Sequence, residues 1–292
     1  MLSFLPPLQR VWLRTHCSRA VGSVVRSLLS YGARDFVSSV RQLGVRPGDT
    51  LLVHSAFGGH HGFREGIHPF IEALIEAVGP DGNLLMMSLP YLDAALDYLQ
   101  ETRRFDVRRT PSMTGLVTEY FRRRPDVIRS LNPMHPVLAR GKLATWFTDG
   151  HDRCVHSCGP GSPFEKLVEV DGKVLFFNTR FTSFTFFHHL EHLVREEQPF
   201  SLYANPPFEI EVIDGQGERR MVQVCAFSRE AIRRRRYHRF ESQMRARALI
   251  KRTRIGATTL ELVSVRDAVR CVEEMRLNGV SFYDRTSSEA TT

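Results

Sequence analysis

Apolar residues in the first half of the chain alternate between short continuous runs and runs with helical spacing. A turn at 46–49 (Arg-Pro-Gly-Asp) precedes the wholly apolar run 51–53, and the run 84–87 has the same character. Between them, apolar residues from 67 to 78 recur at intervals of three and four, which predicts an amphipathic helix. Short continuous apolar runs are typical of strands buried on both faces. The order strand, helix, strand indicates an α/β domain with a largely parallel core.

The middle of the chain predicts one more buried strand and two further helices. Residues 174–177 (Val-Leu-Phe-Phe) form the strand candidate. The segment 182–195 is helical by length and pattern, with Thr182 or Ser183 as its N-cap, and Ser112 is the N-cap expected for an earlier helix. Strands and helices therefore continue to alternate as an α/β domain requires.

After residue 198 the pattern changes to that of a hairpin followed by helices. Residues 208–213 alternate between apolar and polar, 214–217 (Asp-Gly-Gln-Gly) read as a turn, and 221–224 form the returning strand. This predicts an antiparallel hairpin with one face in water. A basic helical stretch (232–251) and a final helix over 264–277, with a serine at its N-cap, complete the chain.

Composition and cysteine content are typical of a soluble intracellular protein. The chain has 292 residues, of which 42% are apolar and 25% are charged. No stretch approaches the roughly 18 to 20 uninterrupted apolar residues that a transmembrane helix needs. The five cysteines are odd in number and scattered, so we expect no disulfide framework and a reducing, cytoplasmic location.

The first 34 residues differ in charge from the rest of the chain. They contain no Asp or Glu, and five arginines punctuate their apolar residues. Such a segment fits a basic amphipathic anchor at a membrane surface, a transit-type peptide, or an extra surface helix that covers the domain edge. We therefore divide the chain into a basic N-terminal extension (1–34), one folded domain (35–284) and a flexible tail (285–292).

The local cluster that most suggests chemistry is the run 188–192 (His-His-Leu-Glu-His). Residues three and four apart share a helix face, so His188 lies beside Glu191 and His192. A carboxylate that accepts from one ring nitrogen leaves the other nitrogen free as a general base. The same spacing matches an inverted zincin pattern, in which both histidines bind zinc and Glu191 activates water. Core or polar histidines on an amphipathic helix are the third interpretation, and the helix alone does not decide.

Five short segments between residues 51 and 191 form a recognisable series of motifs, within a longer resemblance over residues 35–277. They are 51–55 (Leu-Leu-Val-His-Ser), 105–115 (Phe-Asp-Val-Arg-Arg-Thr-Pro-Ser-Met-Thr-Gly), 129–135 (Arg-Ser-Leu-Asn-Pro-Met-His), 159–163 (Gly-Pro-Gly-Ser-Pro) and 185–191 (Thr-Phe-Phe-His-His-Leu-Glu). In this order they resemble the motifs of the aminoglycoside 3-N-acetyltransferase family. The resemblance implies an α/β fold with a mixed central sheet and flanking helices, plus a C-terminal antiparallel hairpin and helices.

The resemblance also implies an activity and a set of site residues. The domain 35–284 would be an acyltransferase domain that moves an acetyl group from acetyl-CoA directly to an amine, with no metal. His188 would be the general base, Glu191 its orienting partner, and Thr185 a group near the thioester oxygen. The coenzyme-binding residues implied are Ser55, Arg109, Thr110, Ser112, Arg129, Ser130 and Ser162. For each loop serine, a turn or a helix cap is the structural alternative.

The chain departs from the family pattern at Asn132 and Pro136, and more strongly in its charge. The net charge is +8 and residues 233–236 are four consecutive arginines, where aminoglycoside-acetylating members are rich in carboxylates. A solvated helix face is the structural alternative for this run. Guanidinium groups recognise anions, so we expect an amino sugar with phosphate, nucleotide or acidic groups as the acceptor. The acceptor-binding residues predicted are His54, Arg235, Arg236 and Tyr237.

Three other functions are weighed against this one. They are an aminoglycoside 3-N-acetyltransferase that confers resistance, a zinc hydrolase built on the His-x-x-Glu-His helix, and a relative without catalysis that serves as a scaffold. The basic patch lacks interleaved aromatics beyond Tyr237 and Phe240, so we expect no nucleic-acid partner. The partners expected are a small-molecule amine and coenzyme A. Peripheral membrane contact through residues 1–34 and a homodimer are left open.

Overall fold

Ten strands and ten α-helices form within residues 28–58, 61–92 and 94–284, which are the residues that the computed structural model describes. The strands are β1 Thr50–Ser55, β2 Asn83–Met87, β3 Arg104–Asp106, β4 Ile128–Arg129, β5 Val137–Gly141, β6 Lys173–Phe177, β7 Phe208–Ile213, β8 Arg219–Val224, β9 Lys251–Ile255 and β10 Thr258–Ser264. The helices are α1 Ala33–Leu43, α2 Ile67–Val78, α3 Ala95–Glu101, α4 Leu116–Arg122, α5 Ala144–Thr148, α6 Pro163–Glu169, α7 Phe187–Leu193, α8 Arg229–Arg234, α9 Tyr237–Ala246 and α10 Val265–Leu277.

The central sheet has seven strands in the order β4-β5-β2-β1-β6-β10-β9. The strand β1 runs parallel to both β2 and β6, whereas every other neighbouring pair in this sheet is antiparallel. The predicted mixed α/β sheet is therefore confirmed. The expectation of a largely parallel core holds only for the three central strands, because antiparallel strands extend the sheet on both sides.

Alternating side chains of the central strands bury two separate hydrophobic cores, one on each face of the sheet. Leu51 and Val53 point into the core beneath α1, α2 and α4, whereas Leu52 points to the opposite core, which α6, α7 and α10 cover. A strand with apolar residues on both faces is stable only between two such layers. The continuous apolar run 51–53 is thus explained by the position of β1 at the centre of the sheet.

The predicted hairpin and final helix are confirmed. β7 pairs antiparallel with β8, and β3 adds to them in parallel as a second, three-stranded sheet. The Ser264 hydroxyl accepts from the Asp267 N–H at the start of α10, as an N-cap serine does. The helix α2 also lies where the apolar spacing predicts it.

Two strands occupy sequence that was predicted as the end of a helix or not assigned. The basic helical stretch 232–251 is interrupted between α8 and α9, and its last residue already belongs to β9. β9 and β10 then form a hairpin in which β10 pairs with β6, with Leu262 opposite Leu175. The charged residues of β9 suit an edge strand, but their spacing also resembles a polar helix face. Pairing with β6 therefore decides this conformation.

The helix predicted over 182–195 is shorter than expected. A 3₁₀ turn covers Phe181–Ser183, and the α-helix α7 begins only at Phe187. Neither Thr182 nor Ser183 caps it, since the residue at the N-cap is Phe186 and its side chain makes no capping bond. Ser112 likewise does not cap α4, because Gly115 occupies that position with a φ of 123° that favours glycine.

Both terminal segments of the predicted division lie largely outside the described residues. The N-terminal extension is described only from residue 28, and the tail 285–292 is not described. The predictions made for them therefore stay predictions. Within the residues that are described, no helix has the length and apolar character needed to cross a bilayer.

Removal of the Phe70 ring tests the core beneath α1 and α2. Phe70 is 0% exposed, and its ring centroid lies 4.5 Å from that of Phe177 and 5.1 Å from that of Phe36. We expect Phe70→Ala to lower the free energy of unfolding by about 3–5 kcal/mol, because it leaves a cavity that rigid rings cannot fill. Urea denaturation followed by circular dichroism measures this. Tyr120→Ala, at a side chain 54% exposed on α4, is the control and should change stability by less than about 0.5 kcal/mol.

Candidate active site

The predicted general base and its carboxylate partner face each other across one turn of α7. His188 Nδ1 lies 2.7 Å from Glu191 Oε2, as expected for residues three apart on a helix. An ionised carboxylate only accepts, so Nδ1 carries the proton and Nε2 of the neutral ring is an acceptor. Nε2 makes no hydrogen bond with any residue that the structure describes, and the side chain is 21% exposed. The proton-accepting atom of the pair is therefore accessible.

Glu191 is fully buried, and three donors compensate its charge. None of its side chain is exposed (0%), and a buried carboxylate is stable only when it is paired and hydrogen-bonded. Its second oxygen, Oε1, accepts from Arg235 Nε at 2.5 Å and from the Tyr283 hydroxyl. Arg235 lies between α8 and α9, and Tyr283 lies beyond α10. Donors from three separate segments of the chain thus meet at one carboxylate.

The charges around the pair keep it in the form that general-base catalysis requires. Burial lowers the pKa of His188 below its usual range, the hydrogen bond to Glu191 opposes this change, and the charge of Arg235 lowers the pKa further. Burial by itself raises the pKa of Glu191, but Arg235, His188 and Tyr283 together hold it below the usual range. A neutral imidazole beside an ionised carboxylate is the resulting state at neutral pH.

Two further rings border the His188 imidazole. The His135 ring centroid lies 5.2 Å away and that of Phe227 lies 4.8 Å away. His135 is 2% exposed, and its Nδ1 lies 2.6 Å from Ser157 Oγ. Burial, together with nearby positive groups, holds the pKa of His135 well below its usual range, so its ring is neutral. His188 therefore sits between an apolar ring and an uncharged polar one.

A cavity of about 240 Å³ opens at the carboxyl ends of β1 and β2. His54, Ser55, Thr114 and Thr185 are among the residues that line it. His54 Nε2 and Thr185 Oγ1 share a hydrogen bond of 3.3 Å, and burial lowers the pKa of His54 to about 4, so this histidine is neutral. The Thr185 carbonyl accepts from the His188 N–H at 3.0 Å. The cavity and the His188–Glu191 pair, called the dyad below, are therefore one turn apart along the chain.

The loop after β3 brings some of the predicted coenzyme residues towards this cavity. Ser112 Oγ lies 2.8 Å from Thr114 Oγ1, which in turn donates to a main-chain carbonyl of β2. Thr110 Oγ1 accepts from the Asp106 N–H at 2.9 Å and so closes the start of the loop. The Arg109 side chain is 91% exposed and approaches a carboxylate only at 3.9 Å. Its guanidinium donors are available to a ligand.

Three other predicted coenzyme residues are committed to the interior of the protein. Arg129 is 7% exposed and donates to three main-chain carbonyls, those of Val107, Thr110 and Ser88. Ser130 is 0% exposed, and its hydroxyl contacts a backbone N–H and a buried histidine. The Ser162 hydroxyl accepts from the N–H of the third residue of α6, so Ser162 is a helix cap. The structure commits all three side chains to contacts within the fold, and the ligand contacts predicted for them stay predictions.

The predicted acceptor residues of the arginine run are also engaged within the protein. Arg235 binds Glu191, and Arg236 forms an ion pair with Asp284. The Tyr237 hydroxyl donates to a backbone carbonyl of the 3₁₀ turn at 2.5 Å, and its ring packs against Phe187 at 4.7 Å. None of these three groups stands free as a wall for an anion. Of the predicted acceptor residues, only His54 lines a cavity at the site.

The two histidines of the inverted zincin pattern do not converge. His188 Nδ1 is bound to Glu191, whereas His192 Nδ1 lies 2.7 Å from the Tyr203 hydroxyl. Within the described part of the chain, no group of three or more His, Cys, Asp or Glu side chains is arranged to hold a metal ion. The Nδ1 atoms of both histidines are therefore engaged in hydrogen bonds within the fold.

Comparison with known proteins identifies the family. Residues 52–276, well over half of the chain, match the family described as Aminoglycoside 3-N-acetyltransferase. The chain belongs to the aminoglycoside 3-N-acetyltransferase family. This match spans the dyad, the cavity and the loop after β3.

Curated members of the aminoglycoside 3-N-acetyltransferase family align over different shares of the chain. Aminoglycoside N(3)-acetyltransferase III of Pseudomonas aeruginosa is 30% identical over 171 residues, which are 54% of this chain and 63% of the relative. Aminoglycoside N(3)-acetyltransferase VII of Streptomyces paromomycinus is 29% identical over 273 residues, which are 86% of this chain and 91% of the relative. The chain thus spans less than two thirds of the type III relative and most of the type VII relative.

Solved structures of aminoglycoside acetyltransferases share the fold. AAC-VIa bound to sisomicin has a TM-score of 0.72 at 22% identity, over 86% of this chain and 100% of that one. AAC-IIIb in a binary complex with CoASH has a TM-score of 0.70 at 24% identity, over 87% of this chain and 99% of that one. At these identities the likeness concerns the backbone. The mixed sheet and its flanking helices are therefore the family fold.

Sequence reasoning missed several residues that surround the dyad of this family member. His135 belongs to a segment that resembled a family motif, and its ring could have been nominated from that resemblance. Tyr283 and Phe227 carried no signal, because each lies far from α7 in sequence and is apolar in most of its surface. Arg235 was singled out for its charge, but its partner Glu191 is 44 residues away and could not be inferred.

The capping role of Ser162 leads to a test. We expect Ser162→Ala to lower the free energy of unfolding by about 1 kcal/mol, because the first turn of α6 loses an acceptor. The KM for acetyl-CoA should not change, since this buried hydroxyl does not reach a ligand. Ser264→Ala, which removes a cap from α10 far from the cavity, is the matched control and should behave alike. A several-fold rise in KM for Ser162→Ala alone would restore the predicted coenzyme contact.

Proposed function

We propose that this chain is an acetyl-CoA-dependent N-acetyltransferase that acylates an amino group of an amino sugar, with His188 as the general base. The proposal rests on one observation: His188 donates through Nδ1 to a fully buried carboxylate, while Nε2 stays accessible and without a partner among the described residues. Membership of the aminoglycoside 3-N-acetyltransferase family supports the reaction type.

The geometry suits proton removal from an attacking amine. The nitrogen lone pair of the neutral amine forms a bond to the acetyl carbon, and His188 Nε2 takes a proton from that nitrogen. Glu191 stabilises the imidazolium through Nδ1, as the carboxylate of a catalytic triad does. The carbon–sulfur bond of the thioester breaks, the electron pair leaves on sulfur, and the imidazolium returns the proton to the thiolate. Atoms and charge balance, and no covalent enzyme intermediate is needed.

The cavity at the ends of β1 and β2 suits the acyl donor. Its volume is about 240 Å³, and both hydroxyl groups and apolar side chains line it, which fits a linear amide chain that ends in a thioester. Thr185 lines it one turn before His188, and its hydroxyl can donate to the thioester oxygen as negative charge develops there. Ser55 lines the same cavity, and Ser112 contacts Thr114, which also lines it. The exposed guanidinium of Arg109 suits a coenzyme phosphate.

Aminoglycosides are the first candidate for the acceptor. The curated relatives are named for acetylation of these compounds, and structures with the same fold were solved with sisomicin and with a gentamicin. The arginine run, which favoured an anionic acceptor at the sequence level, is largely neutralised by carboxylates within the fold. Three of its four arginines are paired in this way, so the described residues place no repulsive wall of guanidinium groups beside the dyad.

An amino sugar with a phosphate or acidic group is the second candidate. The net charge of +8 favours anionic ligands at long range. In addition, an open groove of about 810 Å³ between the loop after β3 and the β7–β8 turn is rich in arginine. Arg108 and Arg153 line it and make no ion pair within the part of the chain that the structure describes. This groove would attract an anion, but Glu191 and Arg235, which lie at the dyad, are not among the residues that line it.

Removal of the base tests the reaction. We expect His188→Ala to lower kcat by about 10²- to 10⁴-fold with little change in the Kd for coenzyme A, because the imidazole acts on the amine and not on the coenzyme. Thiol release from acetyl-CoA measures turnover, and His68→Ala, at an exposed histidine of α2, is the control. Wild-type turnover should survive a metal chelator. If chelation abolishes turnover and zinc restores it, the result supports the zinc hydrolase alternative and contradicts the dyad mechanism.

The pH profile provides a second test. The base works only when it is unprotonated, so kcat/KM should fall as the pH decreases through the apparent pKa of the dyad. Burial and Arg235 lower the pKa of His188, so this acid limb should lie below the ordinary histidine value of about 6.5. A profile measured with the preferred acceptor should be corrected for the pKa of the amine. An acid limb well above that ordinary value would contradict the predicted charge state.

A panel of acceptors separates the two candidate substrates. Aminoglycosides of the kanamycin and gentamicin classes are compared with amino sugar phosphates and nucleotide-linked amino sugars, at one ionic strength. We expect kcat/KM to be higher for the aminoglycosides, because the guanidinium groups near the dyad are already paired. The reverse order, with a strong decrease at high salt, would favour the anionic acceptor and the basic groove.

A further inference from the structure

The arginine run holds the last described segment of the chain, residues 281–284, against the body of the protein. Arg235 and Tyr283 face each other as an antiparallel bridge. The Arg236 N–H donates to the Phe282 carbonyl at 2.7 Å, and the Asp284 N–H donates to the Arg234 carbonyl at 3.0 Å. Backbone hydrogen bonds therefore fix the register of this segment along the break between α8 and α9.

Side chains of the same run secure the segment further. Arg236 and Arg239 both bind the Asp284 carboxylate, and Arg239 Nη1 also donates to the Ser281 carbonyl at 3.3 Å and to the Tyr283 carbonyl at 3.2 Å. Tyr283 is 1% exposed, and its ring lies 5.3 Å from that of Phe200. These contacts, the clamp on residues 281–284, thus hold a buried tyrosine in place.

That hydroxyl and the Arg235 guanidinium meet at the carboxylate of the dyad. Both donate to Oε1 of Glu191, which leaves Oε2 for His188. The Arg235 guanidinium also stacks at 4.8 Å on the ring of Phe227, and that ring borders His188 at 4.8 Å. Arg235 and Tyr283 therefore fix the carboxylate together, and Arg235 also supports one side of the imidazole through the Phe227 ring.

We propose that Arg235 and Tyr283 are positioning residues of the acetyl transfer, and that the clamped segment 281–284 completes the active site. They hold Glu191 by one oxygen so that its other oxygen keeps His188 in the tautomer and orientation that expose Nε2. The proposal rests on the proposed function, since it assumes that His188 is the base. Neither residue touches the reacting atoms.

The surroundings of the dyad set the direction of the electrostatic effect. The titratable and charged groups that interact with His188 or Glu191 are Arg235, Tyr283, His135, Cys158, Tyr203 and Tyr237. Among them, Arg235 supplies the positive charge that lowers the pKa of both dyad members. Loss of that charge raises the apparent pKa of the coupled pair, whichever member takes up the proton.

Three substitutions separate positioning from simple support of the fold. Tyr283→Phe removes only a hydroxyl, and we expect kcat to fall about tenfold with both KM values unchanged, because a hydrogen bond to a charged group is lost. Arg235→Met should lower kcat at least about tenfold and move the acid limb of the profile to higher pH. Arg235→Lys keeps the charge and should leave the acid limb near its wild-type position while kcat still falls. Arg229→Met, at an exposed ion pair with Asp97 on α8, is the control and should match wild type.

A readout without turnover makes the result independent of the acceptor. The imidazole of His188, assigned in NMR spectra by its loss in His188→Gln, is titrated in the wild type, Tyr283→Phe and Arg235→Met. We expect the midpoint to move to higher pH in Arg235→Met and not in Arg229→Met. Circular dichroism confirms that each variant is folded, and if Arg235→Met does not fold, Tyr283→Phe and Arg235→Lys decide the question.

The outcomes distinguish this proposal from the proposed function. Suppose that the wild type does not release thiol with any acceptor of the panel, and that His188 titrates as described. The proposed function then fails, while the arrangement of the dyad stands. If wild type turns over and the folded Tyr283→Phe and Arg235→Lys variants both keep kcat within twofold, the positioning role is overturned. It is also overturned if the variants raise KM at constant kcat, since that result would place the two residues in ligand binding.

Discussion

A single negative charge, the Glu191 carboxylate, is buried at the centre of the site, and the surrounding structure is arranged to keep it ionised. Removing a carboxylate from water costs several kcal/mol unless partners replace the lost hydration. Here a histidine, an arginine and a tyrosine replace it, and each comes from a different segment of the chain. The helix α7, the break between α8 and α9, and residues 281–284 each supply one of these partners.

The central sheet determines where the cavity lies relative to Glu191 and its partner His188. The three parallel strands end at one edge, where β1 presents His54 and Ser55 and β2 leads towards the cavity through Met87 and Leu89. The segment between β6 and α7 passes over the same edge, so Thr185 lines the cavity while His188 lies one turn later. Crevices at the carboxyl ends of parallel strands are the usual ligand sites of open α/β sheets. The cavity and the His188–Glu191 pair are thereby brought to neighbouring positions by the backbone itself.

The distribution of arginine shows how composition and local structure differ in what they specify. Net charge acts at long range and is fixed by counting residues. At short range the run 233–236 and Arg239 serve mainly as ties, because carboxylates and main-chain carbonyls take up their donors. The donors of the buried Arg129 are likewise taken up by main-chain carbonyls, so this residue supports the loop after β3. A guanidinium is therefore as well suited to fixing loops as to binding an anion, since its planar fork reaches several acceptors at once.

Local pattern was enough to specify the α/β class, the central strands, the hairpin and the last helix, because apolar periodicity and turn residues are local properties. It also placed His188 beside Glu191, because residues three apart on a helix must share a face. Long-range contacts were needed for the antiparallel edges of the sheet, the late start of α7 and the hairpin β9–β10, in which the pairing of β10 with β6 overrides weak local preference. They likewise decided what surrounds the dyad. Arg235 and Tyr283 lie 44 and 92 residues from Glu191, and no spacing rule connects residues that meet only when the chain has folded.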